Sequence, residues 1–209
     1  MSRLVNDLIS KGYLKTDLII EAFSEIDRVE FVPENFQHDA GADIPLPIGH
    51  GQTISQPLTV AVMMELLDPQ RGHKILDVGS GSGWTTALLC YIAGKKGHVT
   101  AVERIAELCE KGKSNVEKYG FITRDNIAEF HHEDGTQGYA PNAPYDRILV
   151  SASADEIPGA LKEQLAVGGK MVIPVYNSLW YVEKKSDTEF YTEEYPGFSF
   201  VPLISRSST

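Results

Sequence analysis

The stretch "HKILDVGSGSGW", residues 73–84, limits what this chain can fold into more than any other. An apolar run of strand length breaks into Gly79, Gly81 and Gly83 and resumes at once as "WTTALLCYIAG", a run suited to a three-turn helix ended by Gly94. Strand, tight glycine loop and helix in that order are the opening of a nucleotide-binding α/β unit. The rhythm then continues: "HVTAVER" as strand, "IAELCEKGKSNVEKYG" as helix, "IAEFHHEDG" and "YDRILVSA" as strands, "IPGALKEQLAVG" as helix and "GKMVIPV" as strand. Strands that alternate with helices imply right-handed crossovers and a mainly parallel sheet covered on both faces. Beyond Val175, "LWYVEKKSDTEFYTEEY" alternates large apolar with polar residues around Ser186–Asp187, the pattern of an antiparallel hairpin. The expected fold is therefore α/β: a doubly wound, Rossmann-like, mainly parallel sheet with an antiparallel C-terminal edge.

Ahead of the sheet lies a helical N-terminal extension. Leu4, Leu8 and Ile9, then Leu18, Ile19, Ala22, Phe23 and Ile26, recur at helical spacing, so two short amphipathic helices are expected, broken at Gly12 and restarted with Thr16 or Asp17 as cap. Prolines and glycines argue against regular structure over most of 34–57. "LTVAVMMELL", 58–67, reads as a buried helix with Pro57 near its first turn and Ser55 near its N-cap. A chain of 209 residues is expected to form one domain, with 1–57 as helices and a substrate-side loop, 58–175 as cofactor core and 176–209 as hairpin and tail.

Charge and composition exclude several classes. The net charge of −10, without a Lys/Arg cluster beyond Lys95–Lys96 and Lys184–Lys185, makes nucleic acid a poor partner. Asn6, Asp7 and Lys11 interrupt the apolar positions of the N-terminus, and no run reaches the ~20 apolar residues of a membrane span, so a soluble cytoplasmic protein is expected; a monomer is the separate expectation for its assembly. Cys90 and Cys109 lack CxxC spacing and read as buried thiols. "HHED" at 131–134 does not read as a metal site, because neighbours on a strand face opposite ways.

Three features converge at one edge of the expected sheet. The glycine loop offers backbone N–H groups and a helix N-terminus to a ligand. Glu103, which ends the second strand twenty residues beyond Gly83, can accept both hydroxyls of a ribose. Asp134–Gly135, ending the third strand, suits an adenine edge. These features alone fit both a nicotinamide dinucleotide and S-adenosylmethionine. A short second half and the lack of a hydride-handling constellation favour a methyltransferase.

Against that background, "DIPLPIGHGQTISQP", "KILDVGSGSGW", "VTAVER", "EDGTQGY", "APYDRILVSASADEIPGALKEQLAVGGKMVIPV" and the late "FVPL" occur in the order seen in the protein-L-isoaspartate O-methyltransferase family. The chain resembles that family from its N-terminal helices to Leu203, most specifically in "GQTISQP". The resemblance implies the S-adenosylmethionine-dependent methyltransferase fold, S-adenosyl-L-methionine as cofactor, and methylation of the α-carboxylate of isoaspartyl residues in damaged proteins and peptides. It implies that Gln52, Thr53, Ile54 and Ser55 line the active site, with Ser55 as the catalytic serine. It also implies that the loop Asp77, Gly79, Ser80, Gly81, Ser82, Gly83 holds the methionine part of the cofactor. Glu103 and Arg104 would then lie at the ribose and beside the adenine, Asp134 and Gly135 at the adenine edge, and Val201, Pro202 and Leu203 beside the substrate along with Thr53, Ile54 and Ser55. Trp84, the stretch "YNSLWYVEKK" after Val175 and the short tail depart from the family pattern and bear on acceptor preference.

The chemistry so implied needs no general base, since a carboxylate with a pKa near ~3.9 is already ionised at neutral pH. It needs in-line positioning. Ser55 could hold one carboxylate oxygen and leave the other aimed at the methyl group, while His50 reads as a local hydrogen-bond partner. Backbone amides at the start of the 58–67 helix could help to hold the acceptor's charge. Two other readings stand beside this one: the same fold acting on another carboxylate or small-molecule acceptor, and a cofactor-binding module without turnover. A nicotinamide oxidoreductase is more distant.

Overall fold

The computed structural model describes residues 1–204. Its main sheet has seven strands: β3 (Lys74–Val78), β4 (His98–Glu103), β5 (Ala128–His132), β6 (Tyr145–Val150), β7 (Leu165–Val175), β8 (Ser178–Lys184) and β9 (Phe190–Pro196). They lie in the order β5-β4-β3-β6-β7-β8-β9. Pairings from β5 through β7 are parallel, whereas β7–β8 and β8–β9 are antiparallel. The chain reverses its winding between β3 and β6, and ligands of such sheets bind beyond the strand C-termini at that switch. Ile75, Leu76, Val78, Val99, Ala101, Val102, Ile148, Leu149 and Val150 are fully buried, as strands covered on both faces must be.

Helices α4 (Trp84–Ala93) and α5 (Ala106–Glu117) follow β3 and β4. α4 is buried nearly all round, which explains its unbroken apolar sequence. α5 turns only Leu108, Cys109, Gly112, Asn115 and Val116 inward, a single face at three- and four-residue spacing. Cys90 and Cys109 are both buried free thiols. The N-terminal extension forms α1 (Arg3–Ser10), capped by the Ser2 hydroxyl, and α2 (Asp17–Glu25). Thr16 is the N-cap of α2 but its side chain makes no cap bond. Glu65 of α3 (Pro57–Leu67) does that work, accepting from Lys15 N–H, Thr16 N–H and the Thr16 hydroxyl. Phe23 of α2 packs edge-on against Trp84 at 5.6 Å, which joins the extension to the start of α4.

Two expectations need correction. Within 34–57 the structure forms a 3-10 turn at Glu34–Asp39 and a small antiparallel hairpin, β1 (Leu46–Gly49) with β2 (Gln52–Ile54). The hairpin is possible because His50 and Gly51 both adopt left-handed φ, 53° and 70°, the twist that a two-residue connection requires. The late helix is also shorter than read. α6 spans Gly159–Gln164 only, and 165–168 already belongs to β7, where Leu165 pairs with Tyr145 and Gly168, at φ 80°, cannot continue a helix. The hairpin around Ser186–Asp187 forms as read, joining β8 to β9.

Candidate active site

At the C-terminal ends of β3, β4 and β6 lies a cleft open to solvent. Its floor is the glycine loop. Gly79 N–H and Ser80 N–H both donate to the Val102 carbonyl, so the loop starts as an extension of the β3–β4 ladder. Gly79, Gly81 and Gly83 then take left-handed φ of 75°, 53° and 87°. A β-carbon on Gly83 would lie 2.7 Å from the Gly112 carbonyl oxygen, so α4 and α5 approach as closely as they do only because that position is bare. Asn115 of α5 donates to the Ser82 carbonyl at 3.0 Å from within the core and fixes the far end of the loop.

Glu103 closes the loop from the side. Its two carboxylate oxygens accept, respectively, from Gly81 N–H and Ile105 N–H, each at 2.9 Å. These bonds orient the carboxylate at the rim and leave it lone pairs for a ligand. Asp77 lies underneath, fully buried, with one oxygen accepting from the Thr85 and Thr86 hydroxyls at 2.9 and 2.6 Å. Burial, softened by those two bonds and aggravated by nearby Glu103, raises its pKa to about 6.

The opposite wall is built from chain outside the parallel sheet. Ile48, Gln52, Thr53, Ile54 and Ser55 line one side, and Val201, Pro202, Leu203 and Ile204 another. The late segment is held by Ser153, whose N–H donates to the Val201 carbonyl and whose carbonyl accepts from Leu203 N–H, both at 2.7 Å. One amide at the start of α3 is already taken, and neither Leu58 nor Thr59 lines the cleft. Asp43 Oδ1 already accepts from Leu58 N–H at 2.8 Å, as a helix cap supplied from a distant loop. His50 sits exposed in the hairpin turn and does not line the cleft.

Of the residues singled out from sequence, Gln52, Thr53, Ile54, Ser55, Gly79, Ser80, Gly81, Ser82, Glu103, Arg104, Gly135, Val201, Pro202 and Leu203 all line this one cleft. Asp77, Gly83 and Asp134 do not. Asp77 faces Thr85 and Thr86, Gly83 faces α5, and Asp134 accepts from Thr136 N–H at 2.9 Å and from the Thr136 hydroxyl, fixing the turn that presents Gly135. Sequence reasoning missed Ser151, Ala152, Thr85, Val102, Ile105 and Ile204 as lining residues, while Ile48 falls within the substrate-side loop read from the sequence. Ser151 was recoverable, since it directly follows β6, the strand beside β3 at the switch. The cleft fits a polar ligand: the buried Ser80 Oγ, Ser151 Oγ and Trp84 Nε1 belong to lining residues and have no hydrogen-bond partner among the described residues. Together with the glycine cradle and the Glu103 carboxylate, they are a donor and acceptor set suited to an amino-acid nucleoside.

A family model described as protein-L-isoaspartate(D-aspartate) O-methyltransferase matches residues 1–208. The chain belongs to that family. Curated relatives named protein-L-isoaspartate O-methyltransferase include one from Methanopyrus kandleri, 48% identical over 98% of this chain and 91% of its own length. Another, from Methanothermobacter thermautotrophicus, is 43% identical over 98% of this chain and 94% of its own. Among solved structures, one from Plasmodium falciparum described as a protein-L-isoaspartate O-methyltransferase, in complex with S-adenosyl-L-homocysteine, superposes with a TM-score of 0.85 at 26% identity, covering 96% of both chains. The fold described above is thus shared with that solved structure.

Proposed function

We propose that this chain transfers a methyl group from S-adenosyl-L-methionine to the α-carboxylate of L-isoaspartyl residues in damaged proteins and peptides. The observation that carries the reading is the convergence of "QTIS" at 52–55, the 79–82 loop and Glu103 on a single cleft, in a chain whose whole length matches the family. The cofactor supplies an activated methyl on a sulfonium centre. The chain's residues do the rest. Gly79 to Ser82, with the Ser80 and Ser151 hydroxyls, hold the methionine portion; Glu103 accepts from the ribose; Arg104 and Gly135 border the base. Asp77 and Asp134 act through the loops they fix. Ser55 donates to one oxygen of the acceptor carboxylate and leaves the other free to attack, while Thr53, Ile54 and the Val201–Leu203 segment bracket the peptide. No proton has to move in the chemical step, so the protein's task is alignment.

No helix among the described residues is long and apolar enough to cross a membrane. A monomeric, cytoplasmic enzyme remains part of this reading, and the acidic composition supports the absence of nucleic-acid partners. The test is methyl transfer from labelled S-adenosyl-L-methionine to matched peptides that differ only in aspartyl or isoaspartyl linkage. Transfer confined to the isoaspartyl peptide is expected; equal transfer to both, or to neither with cofactor bound, would turn the reading to another acceptor. In the same assay Ser55→Ala should lower kcat roughly 100-fold, the scale on which lost alignment acts, with cofactor affinity unchanged. A loss of affinity in place of turnover would count against Ser55 as the orienting residue.

A further inference from the structure

Arg28 is an unusual cation. It sits in a 3-10 turn (Arg28–Phe31) of the N-terminal extension and is only 4% exposed. All four of its terminal N–H bonds go to backbone carbonyls: Nη1 donates to Ala40 and Ala42 at 3.1 and 3.2 Å, Nη2 to Ile44 and Ser55 at 2.8 and 3.1 Å. Its guanidinium carbon lies 5.4 Å from the ring centroid of Trp84, a residue that borders the cleft. No carboxylate among the described residues makes a hydrogen-bonded pair with it. The nearby charge is Asp43, which is itself occupied with the first turn of α3.

Burying a guanidinium without a bonded counter-ion is costly. Burial pulls its pKa down to about 10, with Asp43 opposing, which still leaves it charged at neutral pH. What the cost secures is geometric. Three of the four carbonyls lie in the 40–44 loop, and the fourth belongs to Ser55. Asp43 of that same loop caps the helix that begins two residues beyond Ser55. Ser55 is thus gripped through its carbonyl by Arg28 and from the following helix by Asp43. Both grips depend on one loop that has no regular structure of its own.

We propose that Arg28 is a positioning residue for methyl transfer: its guanidinium fork fixes the Ser55 backbone, and so the direction of the Ser55 hydroxyl, without touching either substrate. The inference rests on Ser55 being the residue that orients the acceptor. A lysine at 28 keeps the charge but cannot reproduce a planar fork to four carbonyls. The experiment is a double-mutant cycle in kcat on an isoaspartyl peptide, with Arg28→Lys, Ser55→Ala and the pair, alongside cofactor affinity and thermal unfolding of each. Arg28→Lys should lower kcat on the order of 10- to 100-fold, the scale of an ångström-level misplacement, with unchanged affinity for S-adenosyl-L-homocysteine. In the Ser55→Ala background the same change should have almost no further effect on kcat. Equal loss in both backgrounds, or loss of cofactor affinity instead of kcat, would overturn the proposal and make Arg28 a structural cation only. If Ser55→Ala retains full kcat, it is the orienting role of Ser55 that fails, which separates the two. Should Arg28→Lys fail to fold, Asp43→Asn, which keeps an acceptor for Leu58 N–H while removing the charge beside Arg28, takes its place in the cycle, with a smaller kcat loss that must likewise vanish without the Ser55 hydroxyl.

Discussion

Asp77 gives the sharpest quantitative expectation. Its carboxyl is 0% exposed, one oxygen is held by two threonine hydroxyls, and the other has no partner among the described residues. Burial lifts its pKa from 3.8 to about 6. Each unit corresponds to ~1.36 kcal/mol, so the folded chain carries a cost of about 3 kcal/mol for keeping this group ionised at neutral pH. Because the folded pKa is the higher one, the folded state binds more protons between pH 3.8 and about 6, and stability from this group falls as pH rises through that window. Asp77→Asn keeps an oxygen to accept from Thr85 and Thr86 and removes the charge. Against wild type, its advantage should be close to zero below about pH 4, grow up to about pH 6, and hold at roughly 2 to 3 kcal/mol from there to about pH 8. Urea unfolding of both proteins across that range isolates the term, because the other titrating groups cancel in the difference. A variant equally or less stable than wild type at neutral pH, with no pH trend in the difference, would refute the reasoning.

Other substitutions probe the cleft's frame. Glu103→Gln must turn an amide NH₂ toward either Gly81 N–H or Ile105 N–H, since each carboxylate oxygen now accepts one of them; calorimetry should show cofactor affinity lowered by ~1.5–3 kcal/mol, and unchanged affinity would move the ribose elsewhere. Ser80→Ala removes a buried hydroxyl that has no partner among the described residues, so thermal unfolding should be unaltered while S-adenosyl-L-homocysteine binds more weakly; the reverse pattern would take Ser80 out of the ligand site. Gly83→Ala combines φ 87° with a contact of 2.7 Å to the Gly112 carbonyl, and should cost about 2 to 5 kcal/mol, read as a lowered denaturant midpoint.

The parts of this molecule legible in the sequence are those that local physics determines. β3, the glycine loop and α4 were readable because apolar run, glycine spacing and helix former all point the same way over 74–93. Glu103 followed from its place at a strand end. The 46–54 hairpin was hidden because its turn places His50, a residue with a β-carbon, in left-handed backbone. α6 was overread because "ALKEQLA" is helical by propensity, while the pairing of Leu165 with Tyr145 is decided by the neighbouring strand. Nothing local marks Arg28 or Asp43. Their partners lie 12 to 27 residues away and are mostly backbone atoms, which carry no sequence signal.

The composition of the cleft bears on how the transfer is accelerated. Among its described lining residues Arg104 is the one basic side chain, and the proposed reading puts it at the base, not at the acceptor. On the proposed reading the acceptor side presents neutral groups only, the hydroxyl residues Ser55 and Thr53 with Gln52, beside the apolar Ile54, Val201 and Leu203. Attack of a carboxylate on a sulfonium-bound methyl neutralises two opposite charges, so both shrink toward the transition state. A lysine or arginine paired to the acceptor carboxylate would hold the reactant more firmly than the transition state and slow the step. A neutral donor fixes direction with less of that penalty, and apolar neighbours favour the loss of charge. Placing a cation beside the acceptor, for instance Thr53→Lys, should therefore lower KM for an isoaspartyl peptide and lower kcat together; a variant with lower KM and undiminished kcat would show that ground-state pairing is harmless here.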